Sequence, residues 1–164
     1  MVISVSGISG SGKTTLTKAL LAQLPGAQVL HFDDIPGQLL PMDYCEWSES
    51  GADYSLWDLS MLEQMLRDRL AQQPSYVFVD YPFGRAHPVI APYINFALWI
   101  DTPLDVALAR RLLRDKKPHD LEFYLARHRQ TYLVHEATVR LGCDFVLDGT
   151  LPLETLTKTV LQHI

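Results

Sequence analysis

Gly7-Ile8-Ser9-Gly10-Ser11-Gly12-Lys13-Thr14 is the stretch on which the reading of this chain turns. It matches the pattern GxxxxGK[ST] in full, between a β-branched run, Met1 to Ser6, and a helix-like pattern carrying Leu16, Ala19, Leu20 and Leu24 that stops at Pro25-Gly26. Strand, glycine loop and helix in that order make a phosphate-binding loop. The glycines let the backbone wrap around phosphate oxygens, the helix N-terminus adds free N–H groups and a favourable dipole, and Lys13 brings charge to the β and γ phosphates. Ser9, Ser11 and Thr15 belong to the same cradle as Gly7, Gly10 and Gly12, and the Thr14 hydroxyl is expected on Mg²⁺. The competing reading is a glycine-rich turn before a helix. With glycine near 7% of residues, a chance match to the whole pattern is on the order of 1% or less.

Working outward, the run Gln28 to Phe32 ends at Asp33-Asp34 and enters a stretch rich in Pro, Gly and acidic residues, read as loop to about Ser55. Leu59, Leu62, Met65, Leu66 and Leu70 then share one face of a helix expected from about Asp58 to Ala71. Tyr76 to Val79 and Phe96 to Ile100 are continuously apolar, as strands covered on both faces should be, and each is followed by an aspartate, Asp80 and Asp101. A helix from Pro103 to about Asp115, a breaker-containing Lys116 to Asp120, a helix to about Leu141, the strand Asp144 to Leu147 and a helix from Pro152 complete the order. Strands and helices alternate throughout. That alternation predicts an α/β, three-layer fold with a parallel sheet of about five strands, helices on both faces, and ligands at the strands' carboxyl ends.

The 164 residues are expected to form a single domain with one core, and the short breaker segment, about 115 to 121, to act as a lid. With 14 basic and 19 acidic residues the net charge is -5, which offers no general attraction to nucleic acid or an anionic membrane. No apolar run reaches the roughly 18 residues needed to span a bilayer, and no signal peptide opens the chain, so the expected location is the cytoplasm. Cys45 and Cys143 show no metal or redox spacing and read as reduced core thiols.

Asp80, at the end of a buried strand, is placed to reach the metal or its water shell beside Thr14. Asp33 or Asp34, on the same sheet edge, is placed to take the proton of an attacking hydroxyl. On the helix after Asp101, residues advance about 100° each, so Arg110, Arg111 and Arg114 fall on one face as an anion site, beside the apolar stripe Leu104, Leu108 and Leu112. Lys116 and Lys117 extend that cluster into the lid. The six histidines show no ligand spacing and are read as non-ligands. Trp47, Tyr54 and Trp57 are candidates either for stacking on a base or for the core.

Three segments resemble one family. GISGSGKTT at 7 to 15, LWIDTPLDVALARRLLRD at 98 to 115 and DFVLDGTLPLE at 144 to 154 are similar to the uridine kinase and nicotinamide riboside kinase group of P-loop kinases, which includes phosphoribulokinase and one type of pantothenate kinase. The resemblance implies a P-loop NTPase fold and transfer of the γ-phosphoryl of ATP, with Mg²⁺, to a hydroxyl of a small molecule of uridine, cytidine or nicotinamide riboside type. It implies Asp33 as general base, Asp34 beside it in the acceptor site, and Arg111 and Arg114 as lid-side arginines on the phosphates, with Arg110 near the nucleotide. Asp53 or Tyr54 falls where ribose hydroxyls are held, and Tyr81-Pro-Phe-Gly-Arg85, which is unlike the group's usual stretch after the third strand, is expected to line the acceptor pocket. The group often carries Glu where this chain has Asp80, a shorter carboxylate that reaches a metal through water. It also usually has an aromatic pair where Ile35-Pro36-Gly37 stands. The alternative function is a nucleotide-binding switch or regulatory ATPase. The absence of NKxD-type and LSGGQ-type motifs and the presence of arginines in the same chain favour the kinase. A non-catalytic binding module with this fold is the remaining alternative.

Overall fold

A computed structural model of the chain describes residues 1–36, 39–116 and 121–164. These residues form one five-stranded, all-parallel sheet in the order β2-β3-β1-β4-β5. The strands are β1 (Val2–Ser6), β2 (Gln28–His31), β3 (Val77–Asp80), β4 (Phe96–Asp101) and β5 (Phe145–Asp148). β1 and β3 are buried along their whole length, which explains the continuous apolar run Val77 to Val79; β1 places the small hydroxyls of Ser4 and Ser6 among its β-branched residues instead. The strand order reverses at β1, between β3 and β4, and this is where an open α/β sheet has its crevice. Pairing of Val5 and of His31 with Asp80 brings the ends of β1, β2 and β3 to one level.

Helices cover both faces. α1 (Lys13–Leu21) and α7 (Leu153–Leu161) pack Leu16, Leu20, Leu156 and Val160 against Ile3, Val5, Phe78 and Leu98 on one side. On the other, Leu62 and Leu66 of α3 (Ser60–Ala71), Ala107 of α4 (Leu104–Asp115) and Val139 of α6 (Arg129–Arg140) meet Val77, Val79, Ala97 and Trp99. α6 is reached through α5 (Leu121–Phe123) and a π-helical stretch, Tyr124–His128. Among the described residues no helix is long and apolar enough to cross a membrane.

The segment expected as loop to about Ser55 holds more order than that. α2 (Tyr44–Glu49) is capped by Asp43, whose carboxylate accepts from the backbone N–H of Cys45 at 2.9 Å and Glu46 at 3.2 Å. A 3₁₀ turn, Tyr54–Leu56, follows under its own cap, Asp53. Six residues are too few to show a helical period, so Trp47 and Cys45, both buried, are explained by tertiary packing. The Asp43-x-x-Glu46 spacing was the legible sign of a helix start. On α4 the buried side centres on Ala107, while Leu104 and Leu108 lie half-buried along a groove shared with Tyr124 and Leu133. Of the expected lid, Lys116 closes α4 at φ 50°, and 117 to 120 lie outside the described residues.

Position 10 must be glycine for a reason. Gly10 has φ +91°, and a Cβ there would run into the Ala107 carbonyl and stand 3.0 Å from Arg111 Cγ. Bare backbone at Gly10 lets the backbone of α4 at Ala107 lie on the phosphate-binding loop, bringing its arginines within reach. Gly10→Ala is therefore expected to lower unfolding free energy by about 2 kcal/mol in urea titrations and to weaken ATP binding as well, since the clash pushes α4 off the loop.

Candidate active site

The phosphate-binding loop leaves β1 at Gly7 and enters α1 at Lys13. Ser11 N–H donates to Ile8 O at 3.1 Å, closing the loop on itself. The Lys13 side chain turns back inside it, its ammonium donating to the carbonyls of Gly7 at 2.9 Å and Ile8 at 3.2 Å. Enclosure of the ammonium lowers its pKa, an effect opposed by the nearby carboxylates of Asp80 and Asp33. Ser11 Oγ is buried without a hydrogen-bond partner, a polar atom left over for a phosphate oxygen in a loop shaped to hold one.

At the head of α1, Thr14 Oγ1 donates to Asp80 Oδ2 at 2.6 Å. His31 Nδ1 lies 2.8 Å from the same oxygen and donates to it. The histidines were read as non-ligands from their spacing; His31 is nevertheless part of this cluster, brought there by strand register rather than by sequence distance. A hydroxyl and a carboxylate side by side are hard oxygen ligands, a set that fits Mg²⁺ completed by donor phosphates and water. Among the described residues no group of three or more His, Cys, Asp or Glu converges on a metal, so phosphates and water would supply most of its shell.

Two cavities meet at this point. One, of about 570 Å³, is lined by Ser9, Gly10, Gly12, Lys13, Thr14 and Thr15 of the loop, with Asp33, Arg110 and Arg114. The other, of about 190 Å³, is walled by Phe32, Tyr44, Trp57, Tyr81, Phe83 and Tyr132 and also reaches Asp80 and His135. Ser9, Lys13 and Asp33 line both. Asp34 is exposed and lines neither, although it is adjacent in sequence.

The arginines divide their contacts. Arg110 donates to Ser11 O at 3.5 Å and to Gly149 O at 3.0 Å, tying the loop to the turn after β5, where a third cavity of about 250 Å³ opens between Arg110, Gly149 and Leu151. Arg114 faces the phosphate cavity and pairs with Asp115 at 2.6 Å. Arg111 lies farther over, donating to the Tyr132 hydroxyl at 3.1 Å.

Besides Asp34, two further expected acceptor-site residues are not brought to the cavity. Asp53 is exposed, and its carboxylate is spent on the N–H and hydroxyl of Ser55, at 2.9 and 2.7 Å. Tyr54 is buried behind the wall, edge-on to Trp47 and Phe83, with its hydroxyl on His135. Trp47 is core, its indole N–H donating to Asp53 O, whereas Trp57 lines the cavity. Tyr81 lines it too, its hydroxyl donating to Gly84 O and its pKa raised by burial.

His135 and Tyr132 were not singled out from the sequence. They are three apart on α6 and enter the aromatic cavity together, a spacing that marks one helix face but not what it meets. His135 Nε2 is 3.0 Å from Pro82 O, which only accepts, so the proton sits on Nε2 and Nδ1 accepts from Tyr54 at 2.9 Å. The ring thus joins the turn after β3 to the segment after α2.

Residues 2–154 match the model of a family described as AAA domain. A probable thymidylate kinase from Metallosphaera sedula is 32% identical over 187 aligned positions, 99% of this chain and 91% of that one. Nicotinamide riboside kinase 2 from Mus musculus is 34% identical over 90 residues, 54% of this chain and 43% of the relative. A uridine kinase from Ligilactobacillus salivarius is 23% identical over 159, covering 80% and 75%. A sugar kinase from a Janibacter species, 22% identical over 98% of this chain and 92% of its own, shares the fold with a TM-score of 0.65. The chain belongs to this family and is a P-loop kinase, a phosphotransferase. P-loop kinases generally use ATP with Mg²⁺.

Burial lowers the pKa of His135 from 6.5 to about 4. Between those values the unfolded chain binds a proton that the folded one refuses, so stability falls as pH drops through 6.5 toward 4, by roughly 3 kcal/mol from this group. His87, also lowered by burial, contributes with the same sign. In His135→Gln, urea midpoints measured from pH 7 to pH 4 are expected to lose much of this decline.

Proposed function

We propose that the chain transfers the γ-phosphoryl group of ATP to a hydroxyl of a nucleoside or nucleoside-like acceptor, of uridine, cytidine or nicotinamide riboside type, with residues 1–164 acting as one kinase domain. The observation that carries this reading is the seam between the two cavities, where Asp33 and Lys13 face the phosphate cradle and the aromatic pocket at once. An acceptor lying among Phe32, Tyr44, Trp57, Phe83 and Tyr132 offers a flat ring to aromatic walls and its hydroxyl to Asp33. Among the described lining residues Lys13 is the one cation, and it belongs to the phosphate loop. A pocket so lined favours an acceptor without a phosphate or carboxylate of its own, unlike the acceptor in the name of the thymidylate kinase relative.

In this reading Asp33 takes the proton of the acceptor hydroxyl as its oxygen forms the new bond to the γ-phosphorus. The bond to the bridging oxygen breaks, and its electron pair leaves with ADP. Lys13, Arg111 and Arg114 offset the charge spread over the equatorial oxygens, and Arg110 holds the nucleotide side of the cradle. Thr14 and Asp80 would hold Mg²⁺, which supplies charge neutralisation on the β and γ phosphates. Asp33 rather than Asp34 is the base because it alone of the pair lines the seam. Tyr81 serves as wall, and Asp34, Asp53 and Tyr54 carry no contact role.

The test is ATP and Mg²⁺ against a panel of nucleosides, nicotinamide riboside, pantothenate, sugars and nucleoside monophosphates, with the mass of each acceptor followed beside ADP. Gain of one phosphoryl group by a nucleoside-type acceptor is expected, with the monophosphates poor. ADP release indifferent to every acceptor would favour a regulatory ATPase instead. Asp33→Asn is expected to lower transfer by about a hundredfold or more while leaving ATP affinity near wild type. Lys13→Ala is expected to damage both. Transfer at the wild-type rate in Asp33→Asn would remove the base assignment.

A further inference from the structure

Arg111 is held differently from its neighbours on α4. Its side chain rests on Gly10 of the phosphate loop, where a Cβ would stand 3.0 Å from Arg111 Cγ. Its Nη1 donates to the Tyr132 hydroxyl at 3.1 Å, and its guanidinium carbon lies 5.7 Å from the centre of the Tyr132 ring. Its Nε is buried with no partner. Tyr132, in turn, is a wall of the aromatic cavity and is packed beside Tyr44, Tyr124 and His128 at ring distances of 6.1, 6.3 and 6.2 Å.

A guanidinium is a flat fork of five donors on a flexible stem. Fixing Nη1 on the Tyr132 hydroxyl, with the guanidinium carbon 5.7 Å from the ring centre, restricts where the rest of the fork can point. Arg111 lines neither cavity as the site stands, but its stem rests on the phosphate loop at Gly10, and its orphaned Nε–H is a buried donor whose desolvation would be recovered by a phosphoryl oxygen. We propose that Tyr132 is a positioning residue for Arg111: the ring that walls the acceptor pocket carries the hydroxyl that sets Arg111 against the transferring phosphoryl group. One side chain of α6 thereby registers acceptor and donor on each other. The inference rests on the kinase reading above and adds to it a residue that touches the phosphates only through another.

The test is a double-mutant cycle on Tyr132→Phe and Arg111→Ala, with Arg111→Lys as a second arm that keeps the charge but not the fork. Two quantities are read for each protein: kcat and acceptor KM for phosphoryl transfer, and affinity for ADP with aluminium fluoride and Mg²⁺, a stand-in for the planar phosphoryl group that needs no acceptor. Tyr132→Phe keeps the apolar wall, so kcat is expected to fall about tenfold, the loss of one hydrogen bond to a charged group, with acceptor KM within about twofold of wild type. Affinity for the fluoride complex should weaken by about the same factor, and neither quantity should change when Tyr132→Phe is added to either Arg111 variant. Wild-type fluoride affinity in Tyr132→Phe, losses that multiply in the double variants, or a loss confined to acceptor KM would overturn the proposal. A wild-type protein that labels no acceptor would remove the kinase reading, while the fluoride cycle would still decide the role of Tyr132.

Discussion

A carboxylate at the buried edge of a parallel sheet must be compensated, and Asp80, 4% exposed, is compensated from separate elements. Thr14 reaches it from the first turn of α1, His31 from the end of β2, and the Lys13 ammonium lies near enough for each charge to favour the other. These contacts require β1, β2 and β3 to end at one level, which the register provides. The loop at Gly7, Asp33 just beyond β2 and Asp80 on β3 are thus placed relative to one another by the sheet. A one-residue slip of β3 would turn Asp80 to the opposite face and dissolve the cluster.

The second constraint is close backbone approach. Gly10 against Ala107 lets α4 lie across the loop, so one helix delivers Arg110 toward the turn after β5, Arg114 to the phosphate cavity and Arg111 toward α6. The aromatic cavity is organised around α6. His135 grips Pro82 and Tyr54, Tyr132 meets Arg111, and Arg127, just before α6, pairs with Glu49 of α2 at 3.0 Å. The π-helical stretch that leads into α6 shifts the register of the helix, a feature often found where a helix serves a site.

Much of this was legible without coordinates. The loop from Gly7 to Thr14 is local chemistry, since glycines, a lysine and a helix start within eight positions define an anion cradle wherever they fold. The apolar runs ending at Asp80 and Asp101 and the helices between successive strands determined a parallel sheet with its site at the carboxyl edge, because period and punctuation are properties of a few consecutive residues. Helical geometry alone put Arg110, Arg111 and Arg114 on one face of α4, but only Arg110 and Arg114 line the phosphate cavity, while Arg111 turns to Tyr132. What tertiary structure decided is everything that depends on distance across the chain. Asp33 and Asp34 are told apart in sequence only by resemblance, and the fold separates them because Asp33 lines both cavities and Asp34 neither. Asp53 and Tyr54 sit in a segment whose short helix is too brief to show a period, and their side chains turn to a cap and to His135 instead of the pocket. His31, His135 and Tyr132 carry no motif at all. Their partners, Asp80, Pro82 and Arg111, lie 49, 53 and 21 residues away, and only strand register and helix packing bring such pairs within a hydrogen bond.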